Sequence, residues 1–266
     1  MNQKHLEVAI EAAKAGAHEL MIRRDHRVVK EKQPKDLVTD ADLASQAAIR
    51  SILLSSFDNY AFVGEEEGEH DPPDAVREGI ADSPPCWVVD PLDGTVNYVH
   101  RLQSFAVSIG LYASGRARLG VIYDPVGDEL FTAVEGYGAS CNGEPIQVSS
   151  CSDIGQALVA CSFPAGVTGG DPEVARFIKV LESCRSLRRL GSCALNMCYV
   201  ASGRLDAYWA TSIAPWDCAA GVVIAREAGA TLTSYEGGPF DDWSPRFCLS
   251  ATRSLHEQMT SRLGSH

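Results

Sequence analysis

Residues 86–95 read CWVVDPLDGT, and this stretch decides how the rest of the chain is interpreted. Its first four residues are apolar and unbroken, a run typical of a buried strand. We expect the strand to stop at Asp90-Pro91, because proline has no backbone N–H to give to a sheet ladder. The sequence therefore predicts a buried strand that delivers the next residues to one end of a sheet.

The turn after this strand offers two kinds of ligand. The Asp93-Gly94 pair permits a tight turn, which aims Asp90 and Asp93 out of the strand end. Gly94 and Thr95 then present free backbone N–H groups at a predicted helix start. Carboxylates for a hard cation thus lie beside N–H donors for a phosphate. A strand–turn with capping aspartates explains the same pattern, and these residues alone leave the two interpretations about even.

Around this turn, the sequence of the N-terminal half predicts two helices, a short strand, a β-meander and two surface loops. Apolar residues at helical spacing predict a helix over 6–22 and a second from Thr39 or Asp40 to about residue 54. Residues 30–35 are polar and are interpreted as a mobile loop, and residues 68–85 as a surface excursion. Short β-rich runs predict a strand over 61–64 and a meander over 105–112, 117–123 and 129–134.

After about residue 150 the pattern changes to alternating strands and helices, which indicates an α/β arrangement. Predicted strands cover 157–161, 186–190, 206–210, 231–234 and 247–250, and predicted helices cover 172–183, 193–201, 216–228 and a last segment from 254. We divide the chain into 1–150 and 151–266. No linker composition separates the halves, so we expect them to share an interface, and a single structural domain stays open.

Composition limits the class of partner and of compartment. The 266 residues carry 23 Lys and Arg against 35 Asp and Glu, a net charge of −12, which disfavours nucleic acid and anionic membranes. Neither a signal peptide nor a run of about 18 apolar residues is found. The nine cysteines form no CxxC pair. They are therefore interpreted as reduced thiols, and we expect a cytoplasmic protein with no membrane partner.

Acidic residues recur at predicted strand ends and helix starts. Beyond Asp90 and Asp93 these are Asp42, the GEEE stretch at 64–67 and Asp217. Each alone has a simpler explanation as a solvated turn or a first-turn helix acid. Together, oxygen ligands without His or Cys suit Mg²⁺, and converging carboxylates bind several ions for phosphoryl transfer to water.

At this point the sequence resembles the inositol monophosphatase family of Mg²⁺-dependent, lithium-sensitive phosphatases. The resemblance runs through most of the chain in order, on the segments DLVT (36–39), GEE (64–66), WVVDPLDGTVNY (87–98), GSCALNMC (191–198), PWDCAAG (215–221) and EAGA (227–230). It implies a layered αβαβα sandwich, a homodimer and a phosphoric monoester hydrolase. The substrate it implies is inositol monophosphate or a related polyol or sugar phosphate, attacked by a metal-activated water.

The resemblance also assigns roles by position. About two to three Mg²⁺ ions per subunit are implied. Their implied ligands are Glu65, Asp90, the Leu92 carbonyl, Asp93 and Asp217. The implied catalytic residues are Glu65, Thr95, Asp42 and Asp90. The implied substrate-binding positions are Asp93, Gly94, Thr95, Gly191, Ser192, Cys193, Ala210 and Asp217.

Position 210 departs from the family pattern, because the family's sugar-binding glutamate is replaced by Ala210. The family resemblance also allows a phosphatase of fructose 1,6-bisphosphate, histidinol phosphate or 3′-phosphoadenosine phosphate. An alternative of a different class is a metal-binding regulatory protein without turnover. Arg188 and Arg189 are interpreted as a solvated strand end, with phosphate steering as the alternative.

Overall fold

The computed structural model describes residues 1–33, 36–66, 73–78, 83–164 and 166–264. The helices are α1 (Gln3–Arg23), α2 (Asp40–Ser56), α3 (Asp74–Arg77), α4 (Thr95–Val99), α5 (Pro172–Ser183), α6 (Cys193–Ala201), α7 (Pro215–Glu227) and α8 (Arg253–Gly264). The strands are β1 (Val29–Gln33), β2 (Asp36–Thr39), β3 (Ala61–Gly64), β4 (Cys86–Asp93), β5 (Ala106–Ala113), β6 (Arg116–Asp124), β7 (Glu129–Val134), β8 (Ala139–Cys141), β9 (Glu144–Pro145), β10 (Leu158–Ser162), β11 (Ser186–Arg188), β12 (Ala207–Ala210), β13 (Thr231–Ser234) and β14 (Phe247–Ser250).

The first large sheet has seven strands in the order β3-β4-β5-β6-β7-β8-β9. β3 runs parallel to β4, and every later neighbour is antiparallel. The predicted meander is thus confirmed as β5, β6 and β7. β4 is buried along its whole length, in agreement with its apolar sequence.

The prediction that the central strand stops at Asp90-Pro91 is wrong, because β4 continues to Asp93. Asp90 pairs with Ser108 and Asp93 with Ala106 on β5, so β4 holds one extra residue between the two pairs. This bulge tolerates Pro91, since an extra residue in a bulge needs no ladder hydrogen bond. The bulge also changes the local direction of the carboxylates that follow it.

Helices α1 and α2 cover one face of this sheet and bury apolar residues against it, among them Ala13, Leu20, Ile49 and Leu53. The two helices approach closely at Gly16, where a Cβ would lie 2.7 Å from the Ile49 side chain. Both helices were predicted, and their caps are formed by Asn2 and by Thr39.

Helices α6 and α7 cover the opposite face, and small residues let α7 lie against the strands. A Cβ on Gly110 of β5 would lie 2.7 Å from the Ala219 Cβ, and one on Gly120 of β6 would lie 2.3 Å from the Ala220 carbonyl oxygen. Glycine on the sheet opposite alanine on the helix therefore sets the separation of the two layers. This packing fixes the position of the N-terminus of α7.

The second sheet, in the order β11-β10-β12-β14-β13, packs its other side against the same two helices. β10, β11 and β12 are parallel, whereas β13 and β14 are antiparallel to their neighbours. Helices α5 and α8 close the outer face of this sheet. The layers follow the order helix, sheet, helix, sheet, helix, which confirms the predicted αβαβα sandwich. The division at residue 150 stays a prediction.

Two predictions about loops have different outcomes. The mobile loop over residues 30–35 is wrong over its described part, because β1 pairs antiparallel with β2. The apolar pattern of a sequence does not predict such a hairpin, since backbone pairing between polar residues needs no apolar face. In the excursion over 68–85, residues 73–78 contain the short helix α3, while 68–72 and 79–82 lie outside the described residues. Among the described helices, none has the length and apolar character to cross a membrane.

Candidate active site

The parallel strands β3 and β4 bring two acidic segments to one edge of the first sheet. The pairing continues beyond β3, because the Glu65 N–H donates to the Val89 carbonyl across 3.2 Å. Gln46 of α2 fixes the next residue, since its side chain accepts from the Glu66 N–H at 2.9 Å and donates to the Glu66 carbonyl. Glu65 is therefore carried by a backbone that is anchored to a strand and to a helix.

The turn after the bulge places a carboxylate, a carbonyl and a hydroxyl together. Asp90 accepts a hydrogen bond from the Leu92 N–H at 2.9 Å, and the Thr95 hydroxyl donates to the Leu92 carbonyl at 3.1 Å. Gly94 has φ 92°, and a Cβ there would lie 2.9 Å from the Ser104 carbonyl. Only glycine fits this left-handed, crowded position before α4 at low cost.

Asp42 lies directly behind this turn, on the first turn of α2. Its Oδ2 accepts from the Thr39 N–H at 2.9 Å and from the Thr39 hydroxyl at 2.5 Å, and its Oδ1 lies 3.4 Å from the Thr95 hydroxyl. Burial is the largest cause that raises the pKa of Asp42 from 3.8 to about 7. The carboxylate can therefore gain or lose a proton near neutral pH.

Asp93 is bound by the N-terminus of α6. It accepts hydrogen bonds from the Cys193 N–H at 3.0 Å, from the Ala194 N–H at 2.9 Å and from the Ser192 hydroxyl. Ser192 also caps α6 by accepting from the Leu195 N–H at 3.1 Å. Burial raises the pKa of Asp93 to about 6, although these three donors act in the opposite direction.

Asp217 enters the site from the first turn of α7. It accepts from the Ala214 N–H at 2.8 Å, and its side chain is in hydrogen-bonding contact with that of Asp90. Burial is the first cause that raises the pKa of Asp90 and of Asp217 well above the usual carboxyl range, and the charges of Glu65 and Asp93 add to it. Carboxylates in such contact need protons or cations between them.

These groups open into one cleft of about 230 Å³. The cleft is lined by nine of the predicted site residues, namely Glu65, Asp90, Leu92, Asp93, Gly94, Thr95, Gly191, Cys193 and Asp217. Four carboxylates from separate parts of the chain therefore face one volume. Burial raises the pKa of the Cys193 thiol well above its usual range, so this thiol stays protonated and is a poor nucleophile.

Three predicted site residues do not line the cleft. Asp42 and Ser192 are fully buried behind it and contact Thr95 and Asp93. Ala210 is also fully buried, within an apolar cluster, and pairs with Ser162 and Phe247 on the neighbouring strands. The alanine side chain at 210 therefore does not reach the cleft, because it ends at Cβ inside the core.

Four further residues line the cleft that the site assignment did not include: Ser162, Phe163, Arg189 and Ile213. They follow or end β10, β11 and β12, the three parallel strands of the second sheet. The carboxyl ends of parallel strands are the usual place for ligand sites. The alternating pattern after residue 150 contained this signal, and only a prediction of strand order would have brought the three ends together.

The donor set fits a hard cation, with one restriction. In the part of the chain that the structure describes, no three Asp, Glu, His or Cys side chains already converge as the ligands of one ion. At Asp93, three of the roughly four lone-pair positions face protein donors, which leaves one position, on Oδ1, for an ion. The contacting side chains of Asp90 and Asp217 offer carboxylate oxygens, the ligand type that Mg²⁺ prefers.

Known proteins resemble the chain over nearly its whole length. A model of a family described as the inositol monophosphatase family matches residues 1–266. "Nus factor SuhB" of Pasteurella multocida is 38% identical over 256 residues, which cover 95% of this chain and 93% of the relative. An "Inositol-1-monophosphatase" of Synechocystis is 35% identical over 266 residues, covering 99% and 90%. The solved structure of an inositol monophosphatase from Anabaena superposes with a TM-score of 0.85 at 35% identity, covering 98% of this chain and 95% of that one.

Proposed function

The chain belongs to the inositol monophosphatase family, and from this premise we propose that it is a Mg²⁺-dependent phosphomonoesterase of small polyol or sugar phosphates. One observation carries the proposal: four buried or half-buried carboxylates meet in one cleft, beside the Leu92 carbonyl and the Thr95 hydroxyl. Such a cluster destabilises itself unless cations bind, and cations in turn allow an acidic protein to bind a phosphate.

The proposed ligands are divided between two ion sites. Glu65, Asp90, Thr95 and the Leu92 carbonyl would hold the first ion, and Asp90, Asp93 and Asp217 the second, with a weaker third ion near Glu65. Bound Mg²⁺ would neutralise the phosphate and lower the pKa of a coordinated water. Asp93 contributes through Oδ1, the oxygen that keeps a free acceptor position.

The chain's own residues would move protons and orient the phosphate. Glu65 and the Thr95 hydroxyl face the cleft and would accept the proton of the attacking water. The Asp42 Oδ1 lies 3.4 Å from the Thr95 hydroxyl, so it is placed to take that proton onward. The Gly94 and Thr95 N–H groups would bind the phosphate, and a water beside Asp217 would protonate the leaving alkoxide.

Inositol monophosphate is one proposed substrate, with a weak preference because Ala210 supplies no polar atom. The other phosphate esters named above remain alternative substrates. We also propose a cytoplasmic homodimer without a nucleic-acid or membrane partner, since the net charge of −12 opposes both.

The test is phosphate release from a panel of phosphate esters, measured with Mg²⁺ and again with excess chelator. Metal-dependent hydrolysis of at least one polyol phosphate supports the proposal, and hydrolysis that is unaffected by chelator contradicts it. A relative named as a Nus factor makes a regulatory role without turnover the second candidate. That role predicts no hydrolysis of any ester, with the fold retained.

A further inference from the structure

The cleft has two unlike walls. The wall formed by the first sheet and α7 carries Glu65, Asp90, Asp93 and Asp217. The ends of strands of the second sheet, the loops after them and the start of α6 contribute a set of residues that we call the distal wall. The distal wall consists of Ser162, Phe163, Arg189, Gly191, Cys193 and Ile213. Arg189 is its one charged member, and among the described residues it is the one cation that lines the cleft.

Arg189 is held in place on an aromatic support. Its guanidinium lies 4.4 Å from the centroid of the Phe163 ring, and its Nη2 donates to the Phe163 carbonyl across 3.2 Å. Phe163 is itself packed edge-on against Phe177 of α5, with ring centroids 6.0 Å apart. Stacking and one hydrogen bond therefore restrict the guanidinium, which reduces the entropy lost when it binds a ligand.

The charge of Arg189 has no acidic partner in the described part of the chain, where the ion pairs of the arginines involve other residues. One of its five N–H donors goes to the Phe163 carbonyl. A planar guanidinium with free donors matches the two oxygens of a carboxylate or of a phosphate. A neutral polyol has no anionic group to pair with the guanidinium.

We propose that Arg189 is a specificity-determining residue that binds a second anionic group, a carboxylate or a second phosphate, on the leaving alcohol of the substrate. This inference rests on the proposed function, in which the scissile phosphate lies at the carboxylates opposite the distal wall, namely Glu65, Asp90 and Asp93. The distal wall then faces the leaving alcohol. It offers that alcohol a cation at Arg189 and no acid, because position 210 is an alanine buried in the core.

Two matched substrate pairs test the proposal and distinguish the two anions. Glycerol 2-phosphate and 2-phosphoglycerate differ by one carboxylate, and fructose 1-phosphate and fructose 1,6-bisphosphate differ by one phosphate. We expect the wild-type enzyme with Mg²⁺ to have the higher kcat/KM for the more anionic member of at least one pair. Arg189→Gln should lower that preference roughly 5- to 30-fold, between the strength of an exposed ion pair and that of a charged hydrogen bond.

Arg188→Gln is the matched control. It removes the same charge one residue away, from an exposed side chain that donates to Ser186 and Leu187 and does not line the cleft. We expect it to leave both ratios within about twofold, and kcat/KM for glycerol 2-phosphate within about threefold, of the wild-type values. Arg189→Lys keeps the charge without the planar fork and should retain part of the preference.

The outcomes separate the inference from the proposed function. If wild type hydrolyses glycerol 2-phosphate with Mg²⁺ but prefers neither anionic partner, the role of Arg189 is wrong and the phosphatase assignment stands. Equal losses on both members of a pair, or equal effects of Arg188→Gln and Arg189→Gln, overturn it as well. Absence of any metal-dependent hydrolysis by wild type overturns the proposed function itself.

Discussion

Asp93 accepts a hydrogen bond from the backbone N–H of Ala194 across 2.9 Å, although the two residues are 101 positions apart in the chain. This contact joins the end of β4, in the first sheet, to the first turn of α6, which packs against both sheets. The positive end of a helix stabilises a carboxylate at this place. The carboxylate-bearing wall of the cleft and the N-terminus of α6 therefore form one hydrogen-bonded unit.

Ser192→Ala should weaken this unit. The Ser192 hydroxyl caps α6 and donates to Asp93, so its loss removes a helix cap and a donor to a buried carboxylate. We expect the free energy of unfolding to fall by about 2 kcal/mol, measured by urea denaturation. Ser202→Ala is the control, because Ser202 at the other end of α6 donates only to helix carbonyls. Equal losses in the two variants would contradict a special role for the contact.

Asp90→Asn should abolish turnover. Asp90 is 1% exposed, contacts Asp217 and lies between the two proposed ion sites, and a neutral amide cannot compensate two dications in that position. The metal-free variant should unfold at a temperature at least as high as wild type, because the amide needs no proton uptake to avoid a buried charge beside Glu65, Asp93 and Asp217. Asp124→Asn changes another buried carboxylate, one that accepts backbone N–H groups outside the cleft, and should keep activity. Activity of Asp90→Asn within about tenfold of wild type would contradict the assignment of Asp90 as a ligand of both proposed ions.

The sequence predicted the helices and strands of this fold better than it predicted which strands pair and which residues line the cleft. Helix α5 and helix α6 begin and end at the predicted residues. Helix α5 buries Arg176 and Val180, whereas α6 is buried at every residue except Tyr199. The bulge at Pro91 was missed, since its cause is a pairing partner on another strand. The hairpin of β1 and β2 was missed because polar residues can pair through their backbones. Four residues of the distal wall, Ser162, Phe163, Arg189 and Ile213, were missed because three strand ends meet there only through the order of the second sheet.

Without metal, the Asp42 carboxyl should make stability fall as pH rises. Its pKa is raised from 3.8 in the unfolded chain to about 7 in the fold, so between these values the folded state binds the proton more tightly. The free energy of unfolding then decreases with pH across this window. His5 and His256, whose pKa burial lowers, act in the opposite direction. The readout is therefore the difference in Tm between wild type and Asp42→Asn, measured in chelator from pH 4 to pH 8.

The Tm of Asp42→Asn minus that of wild type should rise as pH increases to about 7 and stay constant above this pH, because the amide carries no proton to lose. Mg²⁺ should raise the Tm of wild type most at high pH, where the carboxylates are ionised. An ion at about 100 times its Kd adds roughly 2.7 kcal/mol to the free energy of unfolding. A difference that does not change between pH 4 and pH 7 would show that Asp42 titrates normally.

Lithium should inhibit the Mg²⁺-dependent reaction. A Li⁺ ion in the site of Asp90, Asp93 and Asp217 would bring half the charge of the dication it replaces and would bind the leaving group or the released phosphate differently. We expect partial inhibition at millimolar Li⁺ that is relieved by raising Mg²⁺, with Na⁺ at equal ionic strength as the control. Rates that are indifferent to Li⁺ over this range would argue against a second ion site made by these three carboxylates.

Ala210 should make inositol monophosphate only weakly preferred over glycerol 2-phosphate. In the resembled family a glutamate at this position accepts hydrogen bonds from the sugar, and a hydrogen bond to a charged group is worth roughly 1.5–3 kcal/mol. Its loss corresponds to roughly 10- to 150-fold in discrimination. The alanine cannot replace it, because its side chain ends inside the apolar cluster that also contains Cys193, a residue of the cleft wall.

Ala210→Glu should therefore raise the ratio of kcat/KM for inositol monophosphate over glycerol 2-phosphate, while the dependence on Mg²⁺ stays the same. The longer side chain starts next to Ser162 and within the cluster of Cys193, both of which border the cleft. Ala210→Gln has the same length without charge, so it should raise the ratio less, because a neutral hydrogen bond contributes roughly 0.5–1.5 kcal/mol. Tm measured on both variants reports any cost of placing a polar group in the cluster. A flat ratio in both variants, with the fold intact, or a strong preference for inositol phosphate in wild type, would assign sugar recognition to another group.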